Sequence, residues 1–172
     1  MPMVGFVIWE EVSVHKLLLD TSFFIRLLNP QDKLHKNAKE YFKHFLENEI
    51  ELYLSTISIA EYCVRGNVDE LPLREIRILP FNYFHAVKAG RFAEIAYVNK
   101  ESMNLPNRAI ILNDIKLFAQ ASVENEISHF ITSDKDCTTM YNVIKKKIAP
   151  SFGIINISDP LSQTLGELPF NE

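Results

Sequence analysis

Short apolar runs alternate along the chain with longer segments in which apolar residues recur at helical spacing. The runs end at polar or turn-forming residues, as buried strands of a parallel sheet do. They predict five strands, at residues 16–20, 51–55, 76–80, 128–132 and 153–157. The other segments predict helices at residues 34–46, 57–65, 83–98, 113–126 and 138–147. This alternation indicates an α/β fold with a central parallel sheet and helices on both faces, whose ligand site lies beyond the carboxyl ends of the strands.

The predicted elements form one domain over residues 16–158, because no linker rich in Gly, Pro or Ser interrupts them. Residues 1–15 are interpreted as an N-terminal extension rather than a signal peptide, since their apolar stretch is short and acidic residues follow it. Residues 159–172 are rich in turn-forming and polar residues, and they are interpreted as a C-terminal tail that is laid on the surface or left mobile.

Composition and charge narrow the possible functions. The chain has 172 residues with 18 basic and 22 acidic side chains, and a net charge of -4. A protein that binds polyanions through bulk charge is basic, so any contact with nucleic acid must be a local patch. No run approaches the roughly 18 apolar residues of a membrane span. The two cysteines exclude a disulfide scaffold and a four-thiolate zinc site, and they suit a reducing cytoplasm.

One acid breaks the apolar pattern of its helix. The neighbours of Asp114 at helical spacing are Ile110, Ile111, Leu117 and Phe118. A lone carboxylate on such a face is costly unless something pairs with it. The alternative is that Asp114 lies at the start of its helix and interacts with the helix dipole.

Other acids follow predicted strands. Asp20 comes directly after three leucines, Asp134 and Asp136 follow the strand at residues 128–132, and Glu61 lies in the helix after the second strand. Each has a structural alternative: Asp20 could cap a helix that starts near residue 21, Asp134 or Asp136 could cap the helix near residue 138, and Glu61 could be a solvated helix residue.

Together the acids indicate a metal site. The carboxyl ends of parallel strands meet at one edge of the sheet, so the topology predicts that Asp20, Glu61, Asp114 and Asp134 converge. Converging carboxylates repel one another, and a hard divalent cation relieves that repulsion. An all-oxygen ligand set suits Mg²⁺ or Mn²⁺.

The chain resembles the PIN-domain ribonucleases over residues 17–157. The resemblance depends on four segments, Leu17–Ser22, Ser55–Glu61, Asn113–Ala121 and Ile131–Asp136. It implies a PIN-like three-layer sandwich around a parallel sheet of about five strands, an acidic pocket and metal-dependent hydrolysis of phosphodiester bonds. Within the family the chain is most similar to the VapC-type proteins, many of which are toxins of toxin–antitoxin pairs.

The resemblance also implies site residues and partners. The implied catalytic acids are Asp20, Glu61, Asp114 and Asp134. The implied ligands of Mg²⁺ or Mn²⁺ are Asp20, Asp114, Asp134 and Asp136, and Asp134 is preferred to Asp136 as the fourth acid because it leaves the strand first. The implied pocket hydroxyls are Thr21, Ser22 and Ser133. The implied partners are an RNA substrate, an antitoxin protein and a second copy of the chain in a homodimer.

RNA must still be attracted to an acidic pocket. The candidate RNA-binding cations are Arg26, Lys36, Lys39, Lys43 and Lys135. The three lysines at residues 36, 39 and 43 recur along one helix side, where the alternative is a solvated helix face. Two stretches depart from the family pattern: the first sixteen residues have no counterpart, and the segment from Asn99 to Asn113 is less regular than in the family.

Two other readings compete with the nuclease. A catalytically inactive PIN-like module that binds RNA or protein would share the fold and tolerate loss of the acids. A phosphoryl-transfer domain also has an aspartate at a strand end. The dehalogenase pattern requires a second aspartate where Ser22 stands, and a receiver requires an acidic pair where Leu19 precedes Asp20. The chain has no P-loop, GxGxxG or GxSxG motif.

Overall fold

The computed structural model describes residues 15–99 and 108–164 of the chain. Nearly all of the predicted N-terminal extension, the end of the predicted tail and part of the irregular segment after Asn99 lie outside the described residues.

Five parallel strands form the central sheet of the described residues, in the order β3-β2-β1-β4-β5. The strands are β1 Lys16–Leu19, β2 Glu51–Ser55, β3 Ile76–Leu79, β4 Ile127–Thr132 and β5 Gly153–Asn156. In the register of the sheet, Leu19 at the end of β1 is level with Leu54 of β2 and Ile131 of β4. The residues that follow these three central strands therefore lie at the same edge.

Seven α-helices and one short 3₁₀ helix complete the described fold. The α-helices are α1 Thr21–Leu27, α2 His35–Glu47, α3 Thr56–Tyr62, α4 Tyr83–Val98, α5 Arg108–Val123, α6 Lys135–Lys145 and α7 Leu161–Thr164. The 3₁₀ helix spans Val68–Glu70. None of the helices within residues 15–99 and 108–164 is both long and apolar enough to cross a membrane.

Helices cover both faces of the sheet, as the alternation along β1 demonstrates. Leu18 packs into the core beneath α4, α5 and α6, whereas Leu17 and Leu19 pack into the core beneath α1 and α2. All three leucines are fully buried, and each such side chain contributes about 1.5–3 kcal/mol to folding. The predicted three-layer α/β fold is confirmed.

Two helices begin earlier than the sequence pattern predicted. Helix α5 begins at Arg108 rather than at residue 113, and α6 begins at Lys135 rather than at residue 138. The apolar run before Asn113 lacks helical alternation, so its pattern did not reveal the first turn. Asp114 is consequently inside α5 and not in its first turn, which rules out the alternative that it interacts with the dipole at the start of that helix.

The described part of the predicted tail is hydrogen-bonded to α2. The hydroxyl of Tyr41 donates to the carbonyl oxygen of Asp159 at 3.0 Å and lies 2.6 Å from Oγ1 of Thr164. Thr164 is buried in α7, and Leu161 packs against the core beneath α1 and α2. Residues 159–164 therefore lie against the body of the protein.

Candidate functional site

Four of the predicted acids line one cavity of about 700 Å³. Asp20 directly follows β1, and Asp134 follows the adjacent strand β4 after one intervening residue. Glu61 is carried by α3, which begins directly after β2, and Asp114 is carried by α5. The convergence predicted from the topology is therefore present in the fold.

Asp20 is held in one orientation by neighbouring donors. Its Oδ1 accepts from the backbone N–H of Thr21 at 2.7 Å, which caps α1. Its Oδ2 accepts from the hydroxyls of Ser22 at 2.7 Å and Thr132 at 2.9 Å. Burial raises the pKa of Asp20, the hydrogen bonds from Ser22 and Thr132 lower it in part, and the negative charge of Glu61 raises it again. Asp20 therefore both caps α1 and lines the cavity.

Asp114 is the most perturbed acid of the site. It is 8% exposed, and its Oδ2 has no hydrogen-bond partner among the described residues. Burial first, and then the charges of Asp20, Asp134, Glu61 and Asp136, raise the pKa of Asp114 to about 9. A carboxyl group in this environment retains a proton at neutral pH unless a cation offsets the surrounding negative charge.

Glu61 is fixed at both carboxylate oxygens. Its Oε2 accepts from the hydroxyl of Thr21 at 2.5 Å, and its Oε1 accepts from Nδ2 of Asn113 at 2.6 Å. Asn113 precedes Asp114 on α5, and a neighbouring position on a helix carries no signal that both side chains serve one site. This contact of Asn113 was therefore not predicted.

Asp134 and Asp136 differ in their relation to the cavity. Asp134 lines it, whereas Asp136 is absent from its lining among the described residues. Oδ1 of Asp134 accepts from the backbone N–H of Asp136 at 2.8 Å, so Asp134 also caps α6. Of the four acids that raise the pKa of Asp114, Asp136 has the smallest effect. These observations favour Asp134 as the fourth acid of the site.

The predicted hydroxyls divide in the same way. Thr21 and Ser22 line the cavity, and Ser133 does not belong to its described lining. Ser133 is buried, and its backbone N–H donates to Oγ of Ser22 at 2.9 Å. The hydroxyl of Thr132 contacts Asp20 and accepts from the backbone N–H of Asp134 at 3.0 Å. Thr132, which was not predicted as a site residue, thus links two of the acids.

The acidic side chains of the cavity fit a hard divalent cation, because they offer only oxygen atoms as ligands. In addition, Oδ2 of Asp114 is buried and has no hydrogen-bond partner among the described residues. The side-chain positions do not by themselves form a ligand set: within residues 15–99 and 108–164, no three His, Cys, Asp or Glu side chains are gathered so that they could hold a metal ion. Hydrogen bonds hold Glu61 toward Thr21 and Asn113, and Asp134 toward the start of α6.

Two of the predicted RNA-binding cations lie close to the chain segment that bears Asp134. Nη1 of Arg26 is 2.6 Å from Oδ2 of Asp32, and its Nε donates to Oγ of Ser133 at 3.4 Å. Lys135 is exposed as the first residue of α6. Neither cation is part of the described lining of the cavity.

The lysines of α2 lie outside the described lining of the acidic cavity. Nζ of Lys36 is 3.8 Å from Oε1 of Glu40, and Nζ of Lys43 is 3.5 Å from Oε1 of Glu47. Lys39 and Lys43 line a separate groove of about 520 Å³. Such exposed pairs are typical of a solvated helix face.

A second set of cavity-lining residues was not predicted. Ile25 and Leu28 come from α1 and its end, and Val64 and Arg65 follow α3. Among the described residues of the lining, Arg65 is the one cationic side chain. Sequence patterns could not single these residues out, because exposed apolar and basic residues near helix ends are common.

Comparisons with known proteins agree with this architecture. The family model for the PIN domain matches residues 17–143. A chain of VapBC2 from Rickettsia felis, solved bound to a DNA fragment from their promoter, is 16% identical; the match covers 82% of this chain and 98% of that chain, with a TM-score of 0.53. A chain of FitAcB from Neisseria gonorrhoeae is 19% identical, with coverages of 83% and 98% and a TM-score of 0.56. These likenesses are of fold. No curated protein matches the chain significantly in sequence.

Proposed function

This chain belongs to the PIN domain family, and from that membership we propose that it is a ribonuclease that hydrolyses RNA phosphodiester bonds with Mg²⁺ or Mn²⁺. The observation that carries the proposal is the convergence of Asp20, Glu61, Asp114 and Asp134 on one cavity. The buried, unpartnered Oδ2 of Asp114 and its pKa of about 9 make this cluster destabilising for the metal-free fold. Groups perturbed in this way cluster at functional sites.

The acids divide the work of the reaction. When bound, a divalent cation stabilises negative charge on the phosphate oxygens and lowers the pKa of water. On this proposal Asp20, Asp114 and Asp134 would hold the cation, and Asp136 would be secondary because it is outside the described lining of the cavity. Asp20 is suited to this role because Ser22 and Thr132 fix the direction of its carboxylate.

Glu61 is suited to orient the attacking water. Thr21 and Asn113 hold its two oxygens in place, and each carboxylate oxygen retains a lone pair that can accept a hydrogen from water. A positioned carboxylate of this kind contributes general-base catalysis when it lies within hydrogen-bond reach of the reacting water. No side chain of the protein has to act as a nucleophile.

The proposal extends to the role of the protein in the cell. The likeness in fold to a chain of VapBC2 supports a toxin of a toxin–antitoxin pair. The partners would then be an antitoxin protein and a second copy of the chain in a homodimer, and the activity would be cytoplasmic. The family membership and the fold likeness support this part of the proposal, which needs its own test by co-expression with the product of a neighbouring gene.

The nuclease is tested with purified protein and total cellular RNA in Mg²⁺, in Mn²⁺ and in EDTA. We expect discrete fragments in the two metals and none in EDTA. Asp114→Asn should reduce the cleavage rate by at least about a hundredfold, because it removes a carboxylate that would hold the cation. The matched control is Asp159→Asn, which changes an exposed aspartate outside the described lining of the cavity and should cleave at the unsubstituted rate.

Three results would count against this function. Retained cleavage by Asp114→Asn would reject the assignment of the acids. Equal cleavage in EDTA would reject the dependence on metal. Absence of cleavage together with no rise of the unfolding temperature in Mn²⁺ would support the inactive PIN-like binding module instead.

A further inference from the structure

The acidic cavity has a second chemical character that hydrolysis does not use. Its lining includes the apolar side chains of Ile25, Leu28 and Val64, which we call the apolar set. Ile25 is 46% exposed and Val64 is 77% exposed. Along α1, Ile25 lies one helical turn, about 6 Å, from the start of the helix at Thr21. Ile25 is thus about one turn from the end of α1 that Asp20 caps.

The exposure of Ile25 and Val64 is not explained by packing into either core. Neither Ile25 nor Val64 belongs to the two core clusters of the described residues, and Leu28 packs only partly against one of them. Single exposed apolar residues are common, but apolar residues gathered around one concave site with polar neighbours are typical of a binding surface.

Arg65 adds a positive charge to the same place. It is exposed, and it makes no ion pair within the described part of the chain, although Glu61 and Glu70 line the same cavity. Both glutamates are engaged elsewhere: Glu61 accepts from Thr21 and Asn113, and Oε2 of Glu70 accepts from the hydroxyl of Tyr62 at 2.7 Å. The guanidinium of Arg65 is therefore available to an anion.

Hydrogen bonds and a close packing contact hold the segment that carries Val64 and Arg65. Oε2 of Glu70 also accepts from the backbone N–H of Asn67 at 3.1 Å. A Cβ at Gly66 would overlap the ring of Tyr62, so only glycine allows this close approach. The backbone N–H of Val64 donates to the carbonyl oxygen of Glu61 at 3.3 Å, and that of Arg65 donates to the carbonyl oxygen of Tyr62 at 3.2 Å. The backbone is therefore held on both sides of the Arg65 side chain, which lowers the entropy cost of binding a ligand there.

We propose that the apolar set and Arg65 form a nucleotide subsite beside the acids. The apolar set packs against the base of an unpaired nucleotide next to the scissile bond, and Arg65 contacts a neighbouring phosphate. The aliphatic side chains supply apolar contact for the face of a base, and the guanidinium supplies a charged donor for a phosphate. The subsite rests on the proposed ribonuclease function, whose acids would act on the adjacent phosphodiester.

The test measures binding without cleavage. Fluorescence anisotropy with the full chain in EDTA gives the Kd for a labelled single-stranded RNA decamer and for a decamer of abasic ribose phosphates. The substitutions are Val64→Ser and Arg65→Gln. Their matched controls are Val98→Ser, since Val98 is 81% exposed, and Arg91→Gln, since Arg91 is exposed on α4. Both controls lie outside the described lining of the cavity.

The two substitutions should have different signatures. Val64→Ser should raise the Kd of the RNA decamer about fivefold and leave the Kd of the abasic decamer unchanged, because it removes a contact with a base. Arg65→Gln should raise both values about fivefold and make the salt dependence shallower by about one phosphate contact. The control variants should match the unsubstituted protein on both decamers.

The outcomes separate this subsite from the proposed function. If Val64→Ser matches Val98→Ser on both decamers, or if Arg65→Gln leaves the salt dependence unchanged, the subsite is rejected. Base-dependent binding that Val64→Ser weakens, in a protein that cleaves no RNA in either metal, would support the subsite and reject only the nuclease.

Discussion

Two buried titratable side chains have different surroundings in this fold: Asp114 in the first half of α5, and His85 of α4, which contacts the residue following α5. In the first half of the helix, Asp114 is 8% exposed and its Oδ2 has no partner among the described residues. Just beyond the other end, Glu124 meets the fully buried His85, with 2.9 Å between Oε1 and Nε2. Nδ1 of His85 accepts from the backbone N–H of Asn82 at 3.1 Å, so its Nε2 carries the hydrogen that Glu124 accepts.

This contrast distinguishes residues that stabilise the fold from residues that are placed for function. The ring nitrogens of His85 are both hydrogen-bonded, and such a buried polar group contributes to the stability of one structure. Asp114 is surrounded by acids and raises the free energy of the metal-free fold. We therefore expect substitutions at the two positions to have opposite effects on stability and activity.

The largest expected effect is on the pH dependence of stability. The pKa of Asp114 is raised from 3.8 to about 9, so the folded state binds more protons than the unfolded state between these values, and stability falls as pH rises through this window. Asp114→Asn removes this group and should be more stable than the unsubstituted protein by about 5 kcal/mol near pH 8, with little difference near pH 4. Urea unfolding in EDTA at both pH values measures this.

Mn²⁺ provides the control for that experiment. At pH 8 it should raise the stability of the unsubstituted protein by binding the folded state, and it should raise that of Asp114→Asn much less. Equal stability of the two proteins at pH 8 in EDTA would mean that Asp114 is not strained by its neighbours.

The next largest effect is expected at His85, whose two ring nitrogens are both hydrogen-bonded. His85→Ala should lower the free energy of unfolding by about 2–3 kcal/mol, because it leaves the backbone N–H of Asn82 without its partner and opens a cavity beside Phe81, whose ring centroid is 5.7 Å from that of His85. Cleavage of RNA by the folded variant should be unchanged. The control is Val87→Ala on the same helix, where Val87 is 46% exposed and the expected change is below about 0.5 kcal/mol. A folded His85→Ala protein with impaired cleavage would break the contrast.

The smallest effect is expected at Asn113, which positions Glu61 by a hydrogen bond. Asn113→Ala removes the donor that holds Oε1 of Glu61, and on the proposed mechanism it should lower kcat about tenfold with KM unchanged. Urea unfolding should change little. Asn142→Ala replaces an exposed asparagine of α6 and serves as the control. If both variants cleave at the same kcat, Glu61 does not depend on Asn113 for its orientation.

Much of the fold followed from patterns within short segments. Apolar runs that stop at a polar residue located all five described strands, and strand–helix alternation predicted the parallel sheet that the structure has. The PIN-domain assignment made from four motifs is confirmed by the family match over residues 17–143. The meeting of Asp20 with Asp134 was predictable as well, because adjacent parallel strands end at one edge.

Side-chain partners were the part that patterns could not predict. Nothing in the order of residues indicated that Asn113 would hold Glu61 or that Thr132 would bridge Asp20 and the start of α6. The Asn113–Glu61 and Thr132–Asp20 contacts join residues more than fifty positions apart, and they depend on how the helices lie on the sheet. The early start of α5 was missed for a different reason, since residues 109–112, which follow Arg108, are apolar without alternation.

The spacing of apolar residues along the chain was sufficient to predict the strands, the helices and the position of acids at strand ends, because burial of apolar surface depends on local periodicity. The pKa shifts of Asp20 and Asp114, in contrast, depend on the tertiary structure. Desolvation and the charges of distant residues raise the pKa of Asp114 to about 9, whereas hydrogen bonds partly offset the burial of Asp20. These energies depend on distances between residues far apart in the chain, which no pattern of neighbours contains.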